Sequence, residues 1–368
     1  MQSSFTPPIS LPLPASLGRD LYYGFQQAKA LLSVAHKTVS TQLTDWVTPP
    51  RQSLHRLPAD LLLEIQRRNV ALLERDWEDA QAGVYPPSLL FDWNAEDLLK
   101  NYPQVWLDLP SIWGRLQRRQ YQELPAAIAR EDYPKYYLQN FHHQTDGYLS
   151  DHSAELYDIQ VELLFNGSAN AMRRRILKPL QEGLQAAFAD TPPSQQRVLD
   201  IACGTGYTLQ GLRAALPKVS LYGIDLSAAY LRKANQILAQ RPGELPQLAQ
   251  ANAEALPYQD HYFHGTTSVF LFHELPASAR QNVIQEAYRV TKPGGTFLIC
   301  DSIQALDTPE FEPMMQNFPT LFHEPYYRHY INDDLAARLK TAGFDVVAVF
   351  NHFMSKYWVA RKPEVTVG

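Results

Sequence analysis

Along the chain, the placing of apolar and polar residues changes character near residue 155. Upstream, apolar positions recur at three- and four-residue spacing. Leu21, Phe25, Ala28, Leu32 and Ala35 fall on one face, which predicts an amphipathic helix. The run "PADLLLEIQRRNVALLERDWEDAQAG" has Pro58 and Asp60 near its start and closes at Gly83, the punctuation of a second helix. The stretches "VYPPSLLFDW", "NYPQVWLDLPSIW" and "REDYPKYYLQNF" follow, each interrupted by proline and none sustaining strand alternation. This half reads as helical and irregular. From Arg197 onward, short β-rich runs alternate with helical segments, the pattern of a parallel sheet with crossover helices. Strands are expected at Val198–Ile201, Ser220–Ile224, Thr267–Phe272, Thr296–Cys300, Val346–Phe350 and Lys356–Ala360, with a weaker one near Leu248–Ala251. Helices are expected at Thr208–Ala215, Ala228–Leu238, Ala277–Val290 and Asp333–Ala342, and a helical stretch, Gln160–Phe188, leads into the first strand. The division predicts two domains, 1–156 and 157–368.

The strongest local signal is "VLDIACGTGYTLQGL" (Val198–Leu212), in which an apolar strand passes through Gly204 and Gly206 into a helix. Glycine there lets a ligand approach the backbone without Cβ interference, and the helix N-terminus offers free N–H groups. A dinucleotide site calls for G-x-G-x-x-G, but the third glycine position is Leu209. Asp200, at the strand end, would repel a pyrophosphate and suits a ligand that carries an ammonium and no phosphate. Downstream, "LYGIDLS" ends a second strand in Asp225, an acid that can accept hydrogen bonds from both hydroxyls of a ribose or cap the helix after it.

These residues resemble motif I and the following acid of class I S-adenosylmethionine-dependent methyltransferases, with Ala202 where that motif usually has its first glycine. The resemblance continues through "QANAEALPYQDHYFH" (Gln250–His264), "YRVTKPGGTFLICD" (Tyr288–Asp301) and "SKYWVARKP", in the family's order. Together they cover about Tyr157 to Pro363, nearest in style to ubiquinone/menaquinone-type C-methyltransferases. The implied fold is α/β, Rossmann-like, with a mostly parallel seven-stranded sheet, an antiparallel last strand and a largely helical N-terminal domain. The implied cofactor is S-adenosylmethionine, held by Asp200, Ala202, Cys203, Gly204, Thr205, Gly206, Asp225, Leu226, Asn252, Ala253 and Glu254. Asn252 departs from the aspartate usual there but can still hydrogen-bond an amino group. Lys292-Pro293-Gly294-Gly295 is expected to form a tight structural turn.

Methyl transfer from a sulfonium needs chiefly that donor and acceptor be held at near-attack distance. An acceptor that must lose a proton also wants a base. His273, in "FLFHELP" at the carboxyl edge of the fourth strand, is the candidate base or substrate contact, with Glu274 beside it; a helix-capping role is the alternative. "LFHEPYYRHYI" brings His323, Glu324, Tyr326, Tyr327 and Arg328 to a place where this family inserts substrate-binding material, either as a pocket wall or as packing against the N-terminal half. The acceptor is expected to be a small aromatic or apolar molecule, with a protein side chain or a non-catalytic scaffold as alternatives. Cys300 reads as core.

"NFHHQTDGYLSDHSAELYD" (Asn140–Asp158) holds three of the chain's eleven histidines. His142, His143, Asp146, Asp151 and His152 fit no metal-ligand signature, and adjacent histidines point apart on helix or strand, so no metal is expected. A-x-x-Y-D resembles the family's leading helix, which folds over the donor. That makes Tyr157, Tyr148, His142 and His143 candidate substrate or lid residues and the rest a solvated hinge. Composition adds limits. A net charge of −5 gives no basic patch for nucleic acid, two cysteines build no disulfide framework, and no window reaches the ~20 apolar residues of a membrane span. The opening residues lack a secretory signal, and a cytoplasmic location is expected.

Overall fold

The computed structural model describes residues 15–48, 55, 57–91, 93 and 95–364. The first fourteen residues, on which the signal-peptide reading rests, lie outside them. The described residues hold seven strands: β1 (Arg197–Ile201), β2 (Ser220–Asp225), β3 (Gln247–Gln250), β4 (Phe263–Val269), β5 (Thr291–Ser302), β6 (Asp345–His352) and β7 (Ser355–Arg361). They form one sheet in the order β3-β2-β1-β4-β5-β7-β6. β7 runs antiparallel to both neighbours, and the pairs from β3 to β5 are parallel. The central strands are apolar on both faces because helices cover both. Val198, Leu298 and Cys300 pack into one core, and Leu199, Phe297 and Ile299 into the other.

The longer helices, in chain order, are α1 (Ala15–Val47), α2 (Ala59–Gln81), α3 (Ala95–Arg118), α4 (Asp151–Leu164), α5 (Ala169–Arg174), α6 (Leu177–Phe188), α7 (Tyr207–Ala215), α8 (Ala228–Ala239), α9 (Ala277–Val290), α10 (Glu312–Leu321), α11 (Tyr327–Tyr330) and α12 (Leu335–Ala342). The helical stretch expected over Gln160–Phe188 is three helices, α4 to α6, bent at Gly167 and at Arg175. α4 packs on α1, α3 and α8, so it ties the two halves together, and the expected boundary at 157 falls inside it.

Within the half expected to be helical and irregular, the proline-interrupted stretch "NYPQVWLDLPSIW" lies inside one 24-residue helix, α3, which contains Pro103 and Pro110. Both prolines are exposed, so the carbonyls they orphan at Leu99 and Trp106 can turn to water. The fourth strand was placed over Thr267–Phe272 but ends at Val269, because Phe270 adopts φ 59° and turns the chain out of the sheet. Lys292–Gly295 is the first part of β5 rather than a separate turn. Gly294 (φ 78°) donates to the Lys362 carbonyl at 2.8 Å, and Lys362 donates back to Gly295 at 2.9 Å.

The N-terminal helices lie over the core face that holds Val198, to which they contribute Tyr22, Leu72, Leu73, Tyr85 and Leu90. Buried ion pairs fasten them there. Arg174 of α5 grips Asp76 of α2 through Nε at 2.8 Å and Nη2 at 2.6 Å, and Arg175 pairs with Asp79.

Candidate functional site

The site is a cavity at the carboxyl ends of β1, β2 and β4, where open α/β sheets take ligands. It holds about 790 Å³ of empty space, mouth included. Its sheet side is built from Ala202, Gly204, Asp225, Leu226, Asn252 and Ala253. Gly204 takes φ 54° and a Cβ there would meet nothing within 4 Å, so its backbone faces the open cavity. Gly206 (φ 88°) starts α7, and a Cβ on it would press to 3.1 Å from that of Ala234. Ala202 holds a positive φ of 58°, a conformation glycine adopts more readily.

Asp225 is the polar anchor of this side. Its carboxylate accepts from the Gly204 N–H at 2.9 Å and the Ser227 N–H at 2.8 Å, leaving lone pairs for a ligand. Burial pushes its pKa up to about 6, against the pull of those two amides. Asn252 accepts from the Glu254 N–H at 2.9 Å.

The opposite wall is aromatic. Residues 133–150 lie over the cavity as a lid that supplies Tyr136, Tyr137, Phe141 and Tyr148; α4 adds Tyr157 and α8 adds Tyr230. Phe141 and Tyr148 stack with ring centres 5.6 Å apart. Two hydroxyls tie the lid down: Tyr136 donates to Glu254 and Tyr148 to Glu274, each at 2.6 Å. The expectation of a solvated hinge fails at Asn140 and Gln144, which are buried, with Asn140 donating to the Glu123 and Gln144 carbonyls. Asp151 and His152 are exposed.

Of the cofactor residues expected from sequence, Ala202, Gly204, Asp225, Leu226, Asn252 and Ala253 therefore lie on the cavity wall. Asp200 lies behind it, accepting from the Thr267 hydroxyl at 2.6 Å, with its pKa pushed up to about 7 by burial. Thr205 donates to Asp158 at 2.9 Å, Cys203 is buried, and Glu254 holds the lid.

Of the substrate candidates, Tyr148 and Tyr157 line the cavity. His323 stacks on Tyr121 with centres 4.2 Å apart and meets Gln139 at 2.7 Å, on the far side of the lid, and the ring of His143 lies 6.4 Å from that of His323. Tyr326 packs edge-on against Tyr136, and the Tyr327 hydroxyl meets Ser302 Oγ at 2.9 Å.

His273 sits in the turn after β4. Its Nδ1 is 2.7 Å from Asp301 Oδ1. Burial alone would lower its pKa, but the Asp301 carboxylate outweighs it, aided by Glu274 and Glu324, and raises it to about 9. His142 Nε2 approaches Glu324 at 3.0 Å and Glu274 at 3.5 Å. Burial pushes Glu324 up to about 7, against the effect of His142.

Sequence reasoning missed Tyr230 and Phe270 on the cavity wall, and Asp301 behind His273. Asp301 had a usable signal: Val269 pairs with Cys300, so the residue after Cys300 meets the turn that follows β4.

Comparison with known proteins agrees with this geometry. A methyltransferase domain model matches residues 198–295. An uncharacterised methyltransferase of Synechocystis is 32% identical over 155 residues, which take in 41% of this chain and 68% of that protein. The chain belongs to the class I S-adenosylmethionine-dependent methyltransferases. A ubiquinone/menaquinone biosynthesis C-methyltransferase of Methylobacterium nodulans is 30% identical over 157 residues, 42% of this chain and 58% of that protein. Across these two curated relatives the chain thus spans about three fifths to two thirds of their length. A solved S-adenosylmethionine-dependent methyltransferase of Methanosarcina mazei is 18% identical with a TM-score of 0.38, covering 48% of this chain and 96% of that one.

As a family member, the methyltransferase takes S-adenosylmethionine as cofactor, and the residues fit it. The Gly204 backbone has no side chain to obstruct an approach, and Asp225 keeps acceptor capacity for ribose hydroxyls. The adjoining wall offers an acid rather than a phosphate-binding cation.

Proposed function

We propose that this methyltransferase transfers the methyl group of S-adenosylmethionine to a small aromatic or apolar acceptor enclosed beneath the lid. The supporting observation is the continuity of the cavity: the wall bearing Asp225 and Gly204 runs into one formed by Tyr136, Tyr137, Phe141, Tyr148 and Tyr157. Bound S-adenosylmethionine supplies a methyl already activated by its sulfonium. The chain's part is to hold and to enclose. Asp225 orients the ribose, Asn252 and Ala253 flank the adenine, and the lid tyrosines exclude water and offer π faces to the sulfonium and to a flat acceptor. The quinone-biosynthesis role that names the Methylobacterium relative fits an aromatic acceptor.

The test is a lysate split into small-molecule and protein fractions, each incubated with the enzyme and methyl-labelled donor. Label is expected in the small-molecule fraction, and Asp225→Ala should weaken donor binding by about ten-fold or more, roughly 1.4 kcal/mol. Label confined to protein would reject the small acceptor. Absence of donor binding at millimolar concentration would reject the activity itself.

A further inference from the structure

We propose that His142, His273, Glu274 and Glu324 form a binding site for one divalent transition-metal ion at the edge of the acceptor cavity. The four residues come from the lid, the turn after β4 and the segment between α10 and α11. One ligand atom from each lies within 4.8 Å of all the others. Measured pairs run from 3.0 Å (His142 to Glu324) through 3.5 Å (His142 to Glu274) to 3.9 Å (His273 to Glu274). Nitrogen and oxygen ligands about 2.0–2.2 Å from one ion stand roughly 3–4.4 Å apart, so the side chains are already gathered at the needed scale.

A second observation points the same way. Glu324 is 2% exposed and, among the described residues, neither carboxylate oxygen accepts a hydrogen bond of good geometry; His142 Nε2 lies alongside at 3.0 Å. A buried carboxylate with so little support is costly, and an ion between it and the other three ligands would meet that need. The surroundings match the supports of a ligand set. Asp301 faces His273 Nδ1 at 2.7 Å and is itself held by the N–H groups of Phe272 at 2.6 Å and Ser302 at 2.7 Å. A carboxylate behind one imidazole nitrogen fixes the tautomer that turns a lone pair on the other toward a metal. The Tyr148 hydroxyl orients Glu274 in the same manner.

Two imidazoles and two carboxylates suit zinc, iron(II), cobalt(II) or manganese(II) better than calcium, which takes oxygen ligands alone. Their two negative charges balance one dication. Glu274 lies on the cavity wall, so the ion faces the acceptor space. Its role there, taking an acceptor oxygen in an open coordination position, rests on the methyltransferase reading; the binding of metal does not.

Full-length protein stripped with a chelator is titrated with zinc and with cobalt(II), by calorimetry and by visible absorption. S-adenosylhomocysteine binding is measured on the same samples. One equivalent of metal should bind, with cobalt bands of a mixed nitrogen–oxygen field. Glu324→Gln and His142→Ala should each weaken binding about a hundred-fold, and Asp301→Asn, acting through His273, about ten-fold. All three should still bind S-adenosylhomocysteine, which shows that they fold. Protein that binds S-adenosylhomocysteine but no stoichiometric metal overturns the site, as do variants that match the wild type. Metal bound without S-adenosylhomocysteine supports the site and refutes the cofactor reading alone.

Discussion

Two buried carboxylates, one in each half of the chain, are treated in opposite ways. Asp76 takes two hydrogen bonds from Arg174 and one each from Tyr22 and Tyr85 (both 2.6 Å), so its oxygens are fully engaged. Glu324 is as deeply buried, yet among the described residues neither oxygen accepts a hydrogen bond of good geometry, with only the ion-pair approach of His142 Nε2 at 3.0 Å beside it. Asp225 stands between them with two backbone donors and room for more. A carboxylate whose lone pairs are filled by its own protein is a fastening; one left with capacity is available to something the protein binds. The number of donors thus separates the charge that joins α2 to α5 from the charges that face the cavity.

Removing the fastening should have the largest effect. Asp76→Ala would remove the carboxylate that pairs with buried Arg174 and accepts from the Tyr22 and Tyr85 hydroxyls. A broken buried pair costs about 3–5 kcal/mol. Denaturant unfolding monitored by circular dichroism should show that loss. A loss below about 1 kcal/mol would mean that Asp76 is no fastening and would collapse the contrast.

Asp225 should reveal its intermediate state through pH. With its pKa raised to about 6 in the free site, it is ionised above that value and protonated below it. Ribose hydroxyls donate to the ionised form, so affinity is full above pH 6 and falls about ten-fold per unit below it. S-adenosylhomocysteine should bind about ten-fold more weakly at pH 5 than at pH 7, a difference near 1.4 kcal/mol. In Asp225→Asn this slope should vanish. Equal wild-type affinity at both pH values would remove Asp225 from the ribose.

Much of the fold was legible because the central parallel strands, covered on both faces, become short apolar runs, while the more exposed edge strands β3 and β6 and the antiparallel β7 still read as β-rich runs. The failures have local causes. β4 was extended past Val269 because nothing in "VFLFHE" announces the positive φ of Phe270. The continuity of α3 was not read because proline normally breaks helices, and the exposure that makes Pro103 and Pro110 tolerable is tertiary. The sheet side of the cavity could be read because a strand end and its following loop place Ala202 to Gly204, and then Asp225, consecutively. The His/Glu cluster could not. His142 and Glu324 lie 182 positions apart, and only the folding of the lid onto the turn after β4 brings them together. The rejected metal reading paired His142 with its sequence neighbours, whereas its contacts are Glu274 and Glu324.

The smallest effect, and the sharpest comparison with Asp76, is expected from Glu324→Gln in metal-free protein. The substitution removes a buried charge that no hydrogen bond of good geometry satisfies and keeps nearly the same shape, so stability should change by less than about 1 kcal/mol or rise. Added metal should then separate the two proteins. An ion that binds only the folded state stabilises it by about 2.7 kcal/mol at a hundred times its dissociation constant. The wild type should gain that much in an unfolding titration, while the variant, its affinity reduced about a hundred-fold, gains only about 0.4 kcal/mol at the same concentration. If Glu324→Gln instead costs as much as Asp76→Ala without metal, Glu324 is a second fastening, and the number of donors on a buried acid does not distinguish structure from function in this protein.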